Sequence, residues 1–219
     1  MAVDDICEDE DLFTLPYSST LTVENSTFYA QTHVHLETLQ PWAALVLVLI
    51  FEHGQGSESP WWPYLSILPK KLDTLMFWSQ EELLQLKGST VLNKIGKAEA
   101  DELFEMQLWP VAHSSATQFG WYSSIFARDL GRAEFLKICH RMASLIFAYG
   151  FDHDPDILSD VEKEASLQED KEPTKIMMVP LADLLNADGD LNNVSLVIQL
   201  LRSDLTSLVR HTWCKPKNQ

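Results

Sequence analysis

Ten consecutive apolar residues, Trp42 to Phe51, lie between Pro41 and Glu52, and they constrain the fold more than any other feature of the chain. Such a run must be covered on every side, since each large apolar side chain left in water forgoes on the order of 2 kcal/mol of burial free energy. It is about half the ~20 residues that a helix needs to cross a bilayer. Pro41 suits a first helical turn, and Gly54-Gln55-Gly56-Ser57 offers a stop. The segment is therefore predicted to be a helix buried at the centre of a core, with no membrane partner.

Covering that helix takes apolar mass elsewhere. The chain has 219 residues, 46% of them hydrophobic, with seven Trp, ten Phe and five Tyr. This is enough for one sizeable core, or a core carrying a large insertion, and excludes wholesale disorder. Sixteen Lys and Arg stand against 32 Asp and Glu, a formal net charge of -16. A field of that sign disfavours direct nucleic-acid binding and favours a basic protein partner. Cys7, Cys139 and Cys214 have no paired spacing, which fits reduced thiols in the nucleus or cytoplasm and no structural metal. Residues 1 to 11 carry six acids and no base, unlike a signal peptide.

Along the chain, Leu12-Phe13-Thr14-Leu15-Pro16 and Thr20-Leu21-Thr22-Val23 read as two strands of a small sheet. Ser79-Gln80-Glu81-Glu82 reads as a capping box opening a short helix. Lys97 to Trp109 and Arg132 to Phe151 show helical periodicity, the latter through Phe135, Cys139, Met142, Ile146 and Tyr149. Residues 152 to 172 hold nine acids and two lysines, the composition of a solvated linker. Beyond it, Ile176 to Val179 forms an apolar strand that turns through a short helical piece at Pro180 to Asn186, and Val194 to Ile198 reads as a returning strand.

Several patterns point to chemistry and fall short. Asp188-Gly189-Asp190-Leu191-Asn192 places oxygens at alternate positions as a calcium loop does, but Asn193 and Gln199 stand where glycine and glutamate belong. Asx turns account for it better. His33, His35, His140 and His153 form no ligand set with the cysteines. Gly54-Gln55-Gly56 follows a helix rather than a strand, which makes it a cap rather than a phosphate loop. Asp183 and Asn186, one helical turn apart with Asn192 and Asn193 nearby, can present a carboxylate and an amide together. They suit either an amine or ribose ligand or the pinning of a loop.

Val179-Pro180-Leu181-Ala182-Asp183-Leu184-Leu185-Asn186, with Asn192-Asn193 shortly after, resembles the central motif of SET-domain protein-lysine methyltransferases of the Rubisco large-subunit methyltransferase type, especially the fungal ribosomal-protein lysine methyltransferases. Supporting stretches are Glu10 to Pro16, Leu21 to Ser26, Trp61 to Leu65 with Leu68-Pro69, Asp73 to Trp78, and His140 to Ser144. They follow the family's order over about residues 3 to 198. The resemblance implies an α+β fold, a split SET-type β core with a large helical insertion. Residues 1–40 and 174–198 would supply the core, 41–173 the insertion with its acidic linker, and 199–219 an atypical tail.

It also implies S-adenosylmethionine as cofactor and lysine methylation of a basic, non-histone and possibly ribosomal protein by a monomer. Asn186 would sit at the cofactor, with Asp183 ordering that wall, Ala187 contributing through its main chain and Tyr149 nearby. Asn192 or Asn193 would stabilise the threaded loop. Many relatives have histidine where this chain has Ala187. The family's glycine-rich loop has no counterpart ahead of Met1, and its tyrosine-bearing closing segment is not recognisable after Ile198. The resemblance thus implies a chain truncated at both ends, for which a protein-binding module without catalysis, or a non-functional fragment, is the alternative.

Overall fold

A computed structural model describes residues 11–113, 131–153, 175–185, 194–201 and 204–211. The chain divides into two compact units, one comprising Met1–Leu21 with Phe151–Gln219 and the other the continuous stretch Thr22–Gly150. The sequence-derived boundaries stand at residues 40 and 173.

The continuous unit is helical. Its centre is α2 (Pro41–Gln55), with proline in the first turn and Gly56 closing it at φ 57° while its N–H donates to the His53 carbonyl. All ten residues from Ala43 to Glu52 are buried, as the apolar run requires. Phe51 stacks on Phe28 with ring centroids 4.6 Å apart; Phe28 follows the turn that leads into α1 (Tyr29–Leu36). Helix α6 (Arg132–Tyr149) packs on α2 and buries Phe135, Cys139, Met142 and Ile146 of the stripe expected from periodicity, together with Leu145, while Tyr149 at its end is only half-buried. Two short helices, α3 (Trp62–Leu65) and α4 (Gln80–Leu84), lie between. The α4 capping box is present: Ser79 N–H donates to Glu82 Oε2 at 2.7 Å, and Glu82 N–H to Ser79 Oγ at 3.3 Å. The Ser79 backbone N–H, and then the Ser79 side chain, hold the Glu82 carboxyl below its ordinary pKa.

Helix α5 (Lys97–Leu103) continues through a π-helical segment, Phe104–Leu108, and a further helical stretch to His113. The wider turn keeps both Phe104 and Leu108 fully buried. Phe104 meets the His140 ring edge-on at 5.1 Å, and Trp109 meets Phe135 at 5.2 Å.

The discontinuous unit holds the strands. A three-stranded antiparallel sheet has the order β1 (Asp11–Pro16), β5 (Asp204–His211), β4 (Val194–Leu201). Leu201 faces Asp204 at one end of the β4–β5 pair and Val194 faces His211 at the other. Pro16 pairs with Thr206 at the end of β1, where a missing N–H costs least. A second sheet pairs β2 (Gly150–His153) with β3 (Lys175–Met178). The strand expected at Val194–Ile198 thus runs on to Leu201, and β5 follows it as the central strand.

The expected second strand at Thr20–Val23 does not form. Leu21 makes one bridge, exchanging 2.9 Å hydrogen bonds with Met178, and the chain turns on either side of it. The cause is local: Thr20 N–H and Oγ1 both donate to the Tyr17 carbonyl, at 3.0 and 2.7 Å. Thr22 Oγ1 accepts from Asn25 N–H at 3.1 Å. Hydroxyl-to-backbone bonds of this kind compete with a ladder.

Candidate active site

Strand β3 carries the segment singled out by sequence. Met177, Val179 and Ala182 are buried, with Leu12, Phe13, Leu15, Tyr17 and Phe151 packed against them. This cluster anchors both ends of a tight turn. Leu181 adopts φ 74° and ψ -35° and opens a single 3-10 turn, Ala182–Leu184. Asp183, at intermediate exposure, sits in the middle of that turn. Leu181 and Leu185 bracket it and are 52% and 40% exposed. The turn therefore has an inward apolar side fixed by Ala182 and an outward side bearing two leucines.

Of the residues expected at a cofactor, Asp183 is on this turn, and Asn186, Ala187, Asn192 and Asn193 lie outside the described residues, as does the loop from Asp188. Tyr149 ends α6 in the other unit, half-buried.

The helical unit holds a polar arrangement that sequence reading missed. Glu52 is fully buried. Its Oε1 accepts from Ser26 Oγ at 2.6 Å and from Thr27 N–H and Oγ1 at 3.1 Å each, and its Oε2 accepts from Ser59 Oγ at 2.6 Å. Ser26 Oγ in turn accepts from Phe28 N–H at 3.0 Å, and Ser59 Oγ from Trp61 N–H at 3.1 Å. The carboxyl ties two loops to α2 with four donors, which is what a buried acid requires. The signal was the acid itself, placed at the end of an apolar run and seven residues before Ser59.

Next to it, His53 Nε2 lies 3.5 Å from Arg141 Nη2, and its ring meets Trp62 at 5.9 Å. Burial, and then the Arg141 guanidinium, hold the imidazole below its ordinary pKa of 6.5. Burial also lowers the pKa of Arg141, whose Nε is enclosed with no hydrogen-bond partner among the described residues. His140 is joined to Asp101 Oδ1 at 2.5 Å, linking α6 to α5. Burial pushes the Cys139 thiol well above its ordinary pKa, so it is an unreactive core group. Among the described residues no cluster of three or more His, Cys, Asp or Glu could hold a metal, and no helix is long and apolar enough to cross a membrane.

No family model matches the chain. It is 33% identical over 207 residues to ribosomal lysine N-methyltransferase 4 of Saccharomyces cerevisiae, covering 90% of this chain and 40% of that protein. It is 31% identical over 181 residues to the rat N-lysine methyltransferase SETD6, covering 80% of this chain and 34% of that one. The chain thus spans between a third and two-fifths of these relatives. Among solved structures, the SET domain of LSMT bound to MeLysine and AdoHcy superposes with a TM-score of 0.65 over 98% of this chain and 43% of that one, at 21% identity. The mixed α+β architecture, with small sheets and a large helical part, is the SET-domain fold. In sequence the chain is similar to these protein-lysine N-methyltransferases, and its fold is that of the SET domain.

Proposed function

We propose that the chain forms the core of an S-adenosylmethionine-dependent protein-lysine N-methyltransferase that acts on a basic, non-histone protein, with ribosomal proteins the first class to test. The observation that carries this reading is the segment Val179–Asn186. Its described part leaves β3, is anchored by Ala182 in the core and turns two leucines outward, in a chain aligned over 90% of its length with a yeast ribosomal lysine methyltransferase. The net charge of -16 supports a basic substrate. Such a substrate is met in the nucleus or cytoplasm, where three cysteines without paired spacing also fit.

The described residues fit the cofactor's chemistry. A turn with apolar groups outward and one carboxyl suits an amphiphilic nucleoside whose amino-acid arm is charged. Asn186 and the Ala187 main chain would hold it, with Asp183 ordering the turn. S-adenosylmethionine, when bound, supplies a methyl group on a sulfonium, which a neutral lysine amine accepts by in-line attack. The protein's part is to align the amine and exclude water. The Met177, Val179 and Ala182 cluster serves alignment by fixing the turn on a packed base.

Calorimetry with S-adenosylmethionine and transfer of labelled methyl to a ribosomal protein fraction test this reading. Saturable binding and label on lysine are expected, with Asn186→Ala weakening binding about tenfold or more, the order of one lost buried hydrogen-bonding group. Absence of saturable binding to the folded chain would overturn it. Binding of a basic protein without cofactor binding would favour a protein-binding module instead.

A further inference from the structure

Leu181 occupies a backbone conformation that leucine seldom adopts. At φ 74° and ψ -35° it is the non-glycine residue with positive φ among the described residues, in a region where a Cβ crowds the neighbouring backbone and glycine is favoured. A leucine can offset such strain by burying its side chain, as Val179 and Ala182 do at 0% and 5% exposure. Leu181 does not: it is 52% exposed. Leu185, at the other end of the same turn, is 40% exposed. The leucine side chain thus strains the backbone with only half of it buried, an arrangement found where strain serves a binding site.

We propose that Leu181 is a ligand-contacting residue whose isobutyl group, with that of Leu185, forms an apolar wall against the adenosyl portion of the cofactor. The inference rests on the reading of this segment as cofactor-binding. Asn186 follows Leu185 in the sequence, and a purine face is broad and apolar enough to cover both leucines. Covering the exposed half of one leucine corresponds to about a five- to tenfold gain in affinity.

The test uses the full chain, S-adenosylhomocysteine as the titrant and three variants. Leu181→Gly accepts the backbone conformation and removes the apolar group, Leu181→Asn removes the apolar group but keeps a Cβ, and Leu181→Met keeps the apolar group. The expected result is wild-type affinity within about twofold for Leu181→Met and a loss of about five- to tenfold for the other two, with the melting temperature of Leu181→Gly equal to or above wild type. Equal affinity of Leu181→Gly and wild type would overturn the inference and leave the cofactor reading standing. A loss confined to the KM for the protein substrate would overturn it too, assigning the leucines to the substrate. If Leu181→Gly melts well below wild type, the side chain is structural and the inference fails. Absence of binding by the wild-type chain would remove both readings together.

Discussion

At the scale of single residues, the strongest constraint is the Glu52 carboxyl. Removing it leaves the buried hydroxyls of Ser26 and Ser59, and the Thr27 N–H at the edge of the site, without their acceptor. Unsatisfied buried donors cost ~1–3 kcal/mol each where nothing else reaches them. Glu52→Ala is therefore expected to lower stability by about 3–5 kcal/mol in urea unfolding. Glu52→Gln should cost much less, about 1 kcal/mol, because one oxygen is kept and Ser59 Oγ can turn to accept from the new amide. Equal losses in the two variants would mean that volume, not hydrogen bonding, sets the cost. The sequence showed an acid closing an apolar run, but not that its partners would be Ser26, Thr27 and Ser59. Partners 25 and 26 residues away are a tertiary fact with no local signal. Leu181 was opaque for a related reason: a leucine after a proline predicts no positive φ, so the strain is visible only in the folded backbone.

At the scale of elements, burial separates leucines that composition treats alike. Leu47 lies in the middle of α2 with no exposed surface, whereas Leu84, at the end of α4, is 66% exposed. Leu47→Ala is expected to destabilise by about 2–5 kcal/mol through lost transfer energy and the cavity left behind. Leu84→Ala should change stability by less than about 0.5 kcal/mol. A chemical denaturation series measures both, and a comparable loss for Leu84→Ala would place that side chain in a contact the fold does not show. Elements with strong local signals were legible: α2 from its unbroken apolar run and proline, α4 from its capping box, α6 from its stripe of Phe135, Cys139, Met142 and Ile146. The pairing of strands was not. Leu12 to Pro16 read correctly as a strand, but its partner is β5, almost two hundred residues on, and the nearby Thr20–Val23 was diverted by its own hydroxyl bonds. Threonine favours strands through its branched Cβ and turns through its oxygen, and here Thr20 and Thr22 take the second course.

At the scale of the molecule, the two units differ in how the chain builds them. Thr22–Gly150 is one continuous stretch, with its own buried helix, the α2–α6 packing and the Glu52 network all internal to it. The strand unit is assembled from Met1–Leu21 and Phe151–Gln219, so its β1–β5 pairing requires chain ends far apart in sequence to meet. Closing so long a loop has an entropic cost before any ladder bond is gained. A fragment of residues 22–150 is therefore expected to fold alone, keeping a helical far-ultraviolet spectrum and a single cooperative thermal transition. Residues 151–219 without the first 21 lack β1, leaving one side of β5 unpaired and open to association. That piece is expected to aggregate or remain unfolded. A fragment 22–150 that melts without cooperativity would show that the helical core depends on the strands despite containing its own packing. Cooperative folding would show that the helical unit stands on its own packing, whereas the motif-bearing turn at Leu181–Leu185 belongs to the unit assembled from two separate stretches of chain. Candidate site residues there would then be more sensitive to remote substitutions in β1 than to equally severe ones in α2.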